Sequence, residues 1–183
     1  LTIDQRLQLM ADLCEAVYHL SHKGIIHRDI TPSNILVLEQ PGADLSQGVG
    51  ADPILIDFNA AKWAVSGLGA HVSSVDQVIG KATHMSPEQL SPGIAPIDHR
   101  TDIYSLGVVL YELLVGRLPI TAEELKSDAV HIIREIVRNH IPDKPSTALS
   151  SMGARASRIA QNRGTILPDL SRRLRRGVGS VPL

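Results

Sequence analysis

The stretch His27-Arg28-Asp29-Ile30-Thr31-Pro32-Ser33-Asn34 places a carboxylate and, five residues later, an amide oxygen on one short segment. A second carboxylate closes a strand-like apolar run in Asp57-Phe58-Asn59. Phosphoryl transfer asks little covalent chemistry of a protein. It needs one carboxylate to orient and deprotonate a hydroxyl, and oxygen ligands for Mg²⁺ on a triphosphate. In that chemistry Asp29 serves the hydroxyl, and Asn34 and Asp57 hold the metal. Each piece taken singly has a plainer reading: the His-Arg-Asp as a surface ion-pair cluster, Asp57 as a strand-end cap. The surrounding elements decide between them.

Those elements read as follows. Thr2-x-x-Gln5 is a capping box, and Ile3, Leu7, Met10, Ala11, Cys14, Val17 and Leu20 recur at helical spacing. They predict an amphipathic helix that ends near Lys23-Gly24 and delivers the chain into His27. Ile35-Leu36-Val37-Leu38 reads as a short buried strand paired with Ile54-Leu55-Ile56. The Pro41-Gly42 and Gly48 to Pro53 segments between them read as a long polar hairpin loop. A Ser-, Gly- and Val-rich segment covers about residues 62–82. Ser86-Pro87-Glu88 starts a short helix through Leu90. Thr101 or Asp102 caps the next helix, which runs to about Val115, ends at Gly116 and is apolar almost all round, so it belongs in the middle of the domain. Thr121-x-x-Glu124 is a second capping box, opening a helix through Leu125, Ala129, Val130, Ile133, Ile136 and Val137 that Pro142 stops. Past Pro145 the periodicity weakens.

Composition narrows the setting. The 183 residues suffice for one domain with a core. With aromatic residues at only 3%, that core must be aliphatic. The single cysteine, Cys14, excludes an internal disulfide; it suits a reducing, cytoplasmic setting and is expected as buried filler. The opening residues lack the pattern of a signal peptide, and the most apolar stretch, 103–115, is too short and too polar to span a bilayer. The remaining histidines show no metal-ligand spacing. The net charge of −1 hides an asymmetry: residues 150–183 hold seven arginines against Asp169 alone, a balance of +6, so the rest carries −7. That arginine-rich tail has no aromatic residue to stack on bases, and nucleic acid is not the expected partner. A solvated tail, or a helix parted from its partner, is expected instead.

Four ordered motifs carry a resemblance: His27 to Asn34, Asp57-Phe58-Asn59, Met85-Ser86-Pro87-Glu88-Gln89, and Asp102-Ile103-Tyr104-Ser105-Leu106-Gly107. In order and rough spacing they resemble the C-terminal lobe of bacterial Ser/Thr protein kinases, over about residues 1–140. Small-molecule phosphotransferases share an HxD…N loop but are not expected to have the Arg28, Ser-Pro-Glu or Asp102 features. The resemblance implies a fold that is mainly α with a small β hairpin, a kinase-like C-terminal lobe with the N-terminal lobe absent. Residues 141–183 then form a basic, divergent or truncated tail. It implies ATP and Mg²⁺ as cofactors and a protein as phosphate acceptor. Asp29 becomes the catalytic base, Asn34 and Asp57 the Mg²⁺ ligands, and Leu36 part of the floor beneath adenine. His27 packs on Phe58, Asp102 holds the catalytic loop through its backbone, and Arg28 pairs with a phosphorylated residue among Ser66, Ser73, Ser74 and Thr83.

The departures from the family pattern are specific. Thr31 stands where the family usually has lysine, and Lys81 follows Gly80 where threonine is usual. The pair reads as one exchange, in which Lys81 supplies to the phosphoryl oxygens the charge lost at Thr31. Asn59 replaces a glycine but tolerates left-handed backbone. No Gly-rich phosphate loop or strand lysine can be placed before His27, and no arginine partner for Glu88 is assignable. The reading is a kinase-domain fragment with little activity in isolation. The alternative is a catalytically inactive, pseudokinase-like interaction module. A lobe without its partner is expected to expose apolar surface near Leu36, the unpaired adenine floor.

Overall fold

The computed structural model describes residues 1–44, 49–58, 81–91, 93–126 and 130–176. Thr2 opens the first helix, α1 (Ile3–His22), with both arms of its capping box made: Thr2 N–H donates to Gln5 Oε1 at 2.7 Å, and Gln5 N–H to Thr2 Oγ1 at 3.3 Å. The helix closes at Lys23, and Gly24 turns the chain at φ 69°. The inward stripe is Ile3, Leu9, Met10, Leu13 and Val17. Ala11 and Cys14, expected on that stripe, face solvent. Leu9 and Leu13 take their place because they remove more apolar area from water than Ala and Cys can.

The chain then forms a hairpin, β1 (Ile35–Asp44) and β2 (Val49–Leu55), paired antiparallel from Ile35↔Leu55 to Glu39↔Ala51, with an irregularity before Asp44↔Val49. The expected long loop is thus mostly strand. The expected burial also fails: Leu36, Val37, Leu38 and Ile54 are between 40% and 49% exposed. A two-stranded ribbon has two faces, and α1 backs it on the β2 side. Leu55 and half-buried Ile35 point into the core with Met10, Leu13, Val17 and Ile30.

Two helices hold the middle. The one-turn α2 (Pro87–Leu90) starts at Ser86, and α3 (His99–Val115) starts at Asp98, whose carboxylate accepts the Arg100 N–H at 2.9 Å. The cap is therefore not Thr101 or Asp102. Both lie buried in the first turn with their side chains engaged by other segments. At its far end Gly116 takes the left-handed conformation, φ 78°. As expected of a central helix, α3 serves two core clusters, through Leu106 and Val109 on one side and Tyr111, Leu114 and Val115 on the other.

The Thr121–Glu124 box is made, but it closes a single turn ending at the buried Leu125. The helix proper is α4 (Val130–Asn139), which buries Ile133 and Val137 against Leu90 and Ala82. Residues 145–176 are no solvated tail. They form α5 (Pro145–Ser150), α6 (Ala154–Gln161) and α7 (Leu167–Arg176), and fully bury Ala148, Leu149, Ala160 and Leu170 against α1 and α3. Of the seven arginines one turns inward, while Arg155, Arg158, Arg172, Arg173, Arg175 and Arg176 stay exposed. Arg163, only 4% exposed, donates to the carbonyls of Ile159 and Leu113 at 3.0 and 2.7 Å, and Arg6 reaches the same Leu113 carbonyl at 3.3 Å. Carbonyls in the last turn of a helix carry its negative end, which suits a cation. Burial, with Arg6 beside it, nevertheless pulls the Arg163 guanidinium down to about 10. Arg173 pairs with Asp4 across the α1–α7 contact.

Candidate active site

The loop after α1 is fixed from a distance. Asp102, 1% exposed in the first turn of α3, accepts the N–H of His27 through Oδ2 and of Arg28 through Oδ1, both at 2.8 Å. Charge-assisted bonds of this kind are stronger than neutral ones, and here they satisfy two backbone donors that no strand or helix could. The His27 ring is fully buried, donates from Nε2 to the Ile56 carbonyl at 3.1 Å, and lies 4.7 Å from the Phe58 ring. With Nε2 as donor, Nδ1 is left as acceptor, and the Asp29 N–H points to it at 3.4 Å. His27 thereby ties the loop to the end of β2, the segment that carries Asp57.

Local geometry completes the frame. The Asn34 amide nitrogen donates to the Asp29 carbonyl at 2.8 Å, and Ile56 N–H donates to the Asn34 carbonyl at 3.0 Å. Asn34 closes a short 3₁₀ turn, Pro32–Asn34, whose proline fixes the first φ. Thr31 shares a 2.8 Å hydroxyl contact with Ser33. Arg28 and Asp57 both sit at positive φ, 66° and 63°. Left-handed backbone on residues with side chains costs on the order of 1–3 kcal/mol each and persists where the surroundings over-determine it. Two such residues at the two acidic motifs mark where the fold tolerates strain.

Asp29 and Asn34 are half-buried, while Asp57 and Phe58 are exposed. The Asn34 amide is held by its nitrogen, so its oxygen is the atom left to meet a cation. An amide oxygen and an exposed carboxylate are hard donors of the kind Mg²⁺ takes, so the residues fit that metal. Leu36 lies on the open face of the hairpin, 46% exposed, and can take an apolar ring. Lys81 is exposed at the start of a helical turn. Thr83, one of the expected phosphate acceptors, is 3% exposed with its hydroxyl 3.0 Å from His84 Nδ1, so it is enclosed rather than presented. Ser66, Ser73, Ser74, Asn59 and Gly80 lie outside the described residues.

The Ser-Pro-Glu segment is fastened to α3 side chain by side chain. Thr101 Oγ1 donates to Glu88 Oε1 at 2.7 Å, Ser86 Oγ lies 3.4 Å from Thr101 Oγ1, and Ser105 Oγ donates to the His84 carbonyl at 2.9 Å. Gln89 closes a capping box on Ser86 and donates its amide to the Arg28 carbonyl at 2.6 Å. Neither Thr101 nor Gln89 stood out in the sequence as a site residue. Only the capping spacing from Ser86 to Gln89 could have drawn attention to the second.

Comparisons with known proteins point to one family. A model of the protein kinase domain matches residues 1–165. The chain is 35% identical over 135 residues to the serine/threonine-protein kinase PknB of Mycobacterium tuberculosis, covering 74% of this chain and 20% of that protein. It is 35% identical over 161 residues to a probable serine/threonine-protein kinase of Clostridium acetobutylicum, covering 84% of this chain and 22% of the other. A serine/threonine-protein kinase of Myxococcus xanthus is 34% identical over 113 residues, 62% of this chain and 12% of its own. The chain thus spans about a fifth of the length of the first two relatives. Among the described residues no helix is long and apolar enough to cross a membrane.

Proposed function

The chain belongs to the protein kinase family, and from that premise we propose that it is the C-terminal lobe of an ATP- and Mg²⁺-dependent protein Ser/Thr kinase. Residues 1–140 carry the catalytic loop, the segment before Ser-Pro-Glu and the central helices, and beyond them the helices within residues 145–176 pack on α1 and α3. The observation that carries the reading is the pair of hydrogen bonds that the His27 and Arg28 N–H groups donate to the Asp102 carboxylate. A buried carboxylate spent on holding one loop makes sense where Asp29 must be held.

In this reading Asp29 orients the hydroxyl of a protein Ser or Thr and takes its proton as the oxygen attacks the γ-phosphorus and ADP leaves. Asn34 and Asp57 hold Mg²⁺, which when bound neutralises charge on the phosphates. Leu36 lies beneath adenine, and Lys81 faces the transferred phosphoryl oxygens in the place Thr31 leaves uncharged. The chain spans about a fifth of the length of the first relatives, so the assay belongs to the full-length protein.

The test is transfer of label from γ-labelled ATP to a protein Ser/Thr substrate by the full-length protein. Asp29→Asn should lower the rate by ~100-fold or more. Lys81→Ala should remove most of the turnover, and unchanged turnover there would sink the Thr31–Lys81 exchange while leaving the kinase reading intact. In a second reading, a kinase scaffold kept for binding only, the exposed Leu36, Val37, Leu38 and Ile54 would be a contact face. That reading prevails if the folded full-length protein shows no transfer that depends on Asp29.

A further inference from the structure

Gln89 accepts through the oxygen of its amide and donates through the nitrogen. Its Oε1 accepts the Ser86 N–H at 3.1 Å, the return arm of the capping box on α2. Its Nε2 donates to the Arg28 carbonyl at 2.6 Å, across 61 positions of sequence. The acceptor requirement at Ser86 and the donor requirement at Arg28 fix which way the amide faces.

The carbonyl it holds belongs to the peptide bond between Arg28 and Asp29. The N–H of Arg28 is held from the other side by Asp102, so both polar groups of a residue at φ 66° are clamped by side chains from distant elements. That double clamp is what over-determines the strained conformation. The two clamps also meet each other. Asp102 adjoins Thr101 in α3, Thr101 bonds Glu88, and Ser86 lies against Thr101. The circuit runs from loop to Asp102, along α3 to Thr101, across to Ser86–Gln89, and back to the loop. Ser86, Thr101 and Asp102 are each at most 1% exposed, so water competes little for these bonds.

We infer that Gln89 is a positioning residue that clips the Arg28–Asp29 peptide to the Ser-Pro-Glu segment, so that Asp29 is presented only when that segment is seated on α3. The inference rests on Asp29 being the catalytic base, and it names a regulatory link of that same site: whatever unseats residues 84–90 releases the peptide that aims Asp29.

Gln89→Glu separates the two bonds. The carboxylate is isosteric and still accepts the Ser86 N–H, but it has no proton to give the Arg28 carbonyl. In the full-length protein this variant should lose kcat by at least ~10-fold, because small misplacement of a catalytic group is costly. KM for ATP should stay within about twofold, since Gln89 touches none of the groups assigned to the nucleotide. Its melting temperature should stay within a few degrees of wild type. Hydrogen–deuterium exchange should rise at residues 27–30 and stay unchanged in α1 and in the second half of α3. Gln89→Leu, which loses both bonds, should add faster exchange at 86–90. Unchanged kcat with unchanged exchange at 27–30 overturns the inference. So does a loss of kcat in Gln89→Glu that merely tracks a lower melting temperature with exchange raised throughout. The exchange measurement is independent of phosphate transfer. Selective loosening of the loop in a protein that transfers no phosphate supports the clip and removes the kinase reading instead.

Discussion

The catalytic loop and the hairpin that follows it are neighbours in sequence built on opposite rules. In the loop, residues 27–34, backbone donors and acceptors find partners in side chains: from elsewhere Asp102 for two N–H groups and Gln89 for a carbonyl, and from within the loop Asn34 for another carbonyl. In the hairpin the backbone bonds to itself, and the apolar side chains are left partly open to solvent. A strand pair needs no outside help to satisfy its ladder, but it needs cover. In the loop, where His27 and Ile30 are fully buried, each polar group must be met individually. Rigidity therefore resides in the part with no regular structure, which suits a segment that must aim one carboxylate.

The largest expected effect is on the loop side of this comparison. Asp102→Ala leaves two N–H groups without their acceptor and removes a buried network member. Loss of hydrogen bonds to a charged group is worth roughly 1.5–3 kcal/mol each, so the variant should lose about 3–5 kcal/mol of unfolding free energy in a denaturant titration. Asp102→Asn keeps one acceptor oxygen and should lose about half as much. A loss under about 1 kcal/mol for Asp102→Ala would mean that the loop is held mainly by packing, and the contrast with the hairpin would dissolve.

The hairpin should respond to burial alone. Leu55 is 8% exposed and packs with Met10, Leu13 and Ile30, so Leu55→Ala should cost about 2–4 kcal/mol through lost transfer energy and the cavity left behind. Leu36, on the open face, should tolerate Leu36→Ser within about 0.5 kcal/mol. A much larger loss at Leu36 would show that the open face is covered in solution, which equilibrium unfolding of the two variants side by side can detect.

The loop's anchoring could not be read from local pattern, and the reason is physical. Capping boxes at Thr2 and Ser86 and the stop at Gly116 are contacts within a few residues, so spacing reveals them. The bonds from Asp102 to His27 and from Gln89 to Arg28 join residues more than 60 positions apart, and nothing in the periodicity of either segment encodes them. The resemblance to kinases supplied the first and was silent on the second. Helix α1 was legible in its limits but not in its face, because Leu7, Leu9, Leu13 and Cys14 allow two overlapping stripes and tertiary packing chooses. The helices after Pro145 were missed because their buried residues include three alanines, Ala148, Ala156 and Ala160. Small side chains give a weak hydrophobic signal while permitting close approach. Arginines that read as a solvated tail include one, Arg163, whose partners are main-chain carbonyls, which carry no sequence signature.

The smallest effect tests whether the loop's anchor can be loosened without touching the hairpin. Asp98 caps α3, four residues before Asp102, and its side-chain and backbone bonds with Arg100 hold its carboxyl down at about 2, against 3.8 ordinarily. Because the folded value is the lower one, the unfolded chain binds more protons between these two values. The contribution of Asp98 is therefore fully present above about pH 4 and is lost as pH falls toward 2. Asp98→Asn keeps an oxygen for the Arg100 N–H but cannot titrate. Asp4 and Glu124 are also held below their ordinary values, by Arg173 and by the Thr121 N–H, so acid weakens both proteins. The difference in melting temperature between them isolates Asp98. That difference should be small and positive for wild type at pH 5 and should shrink steadily to nothing near pH 2. A difference that does not change with pH would assign Asp98 a capping role through its oxygen alone.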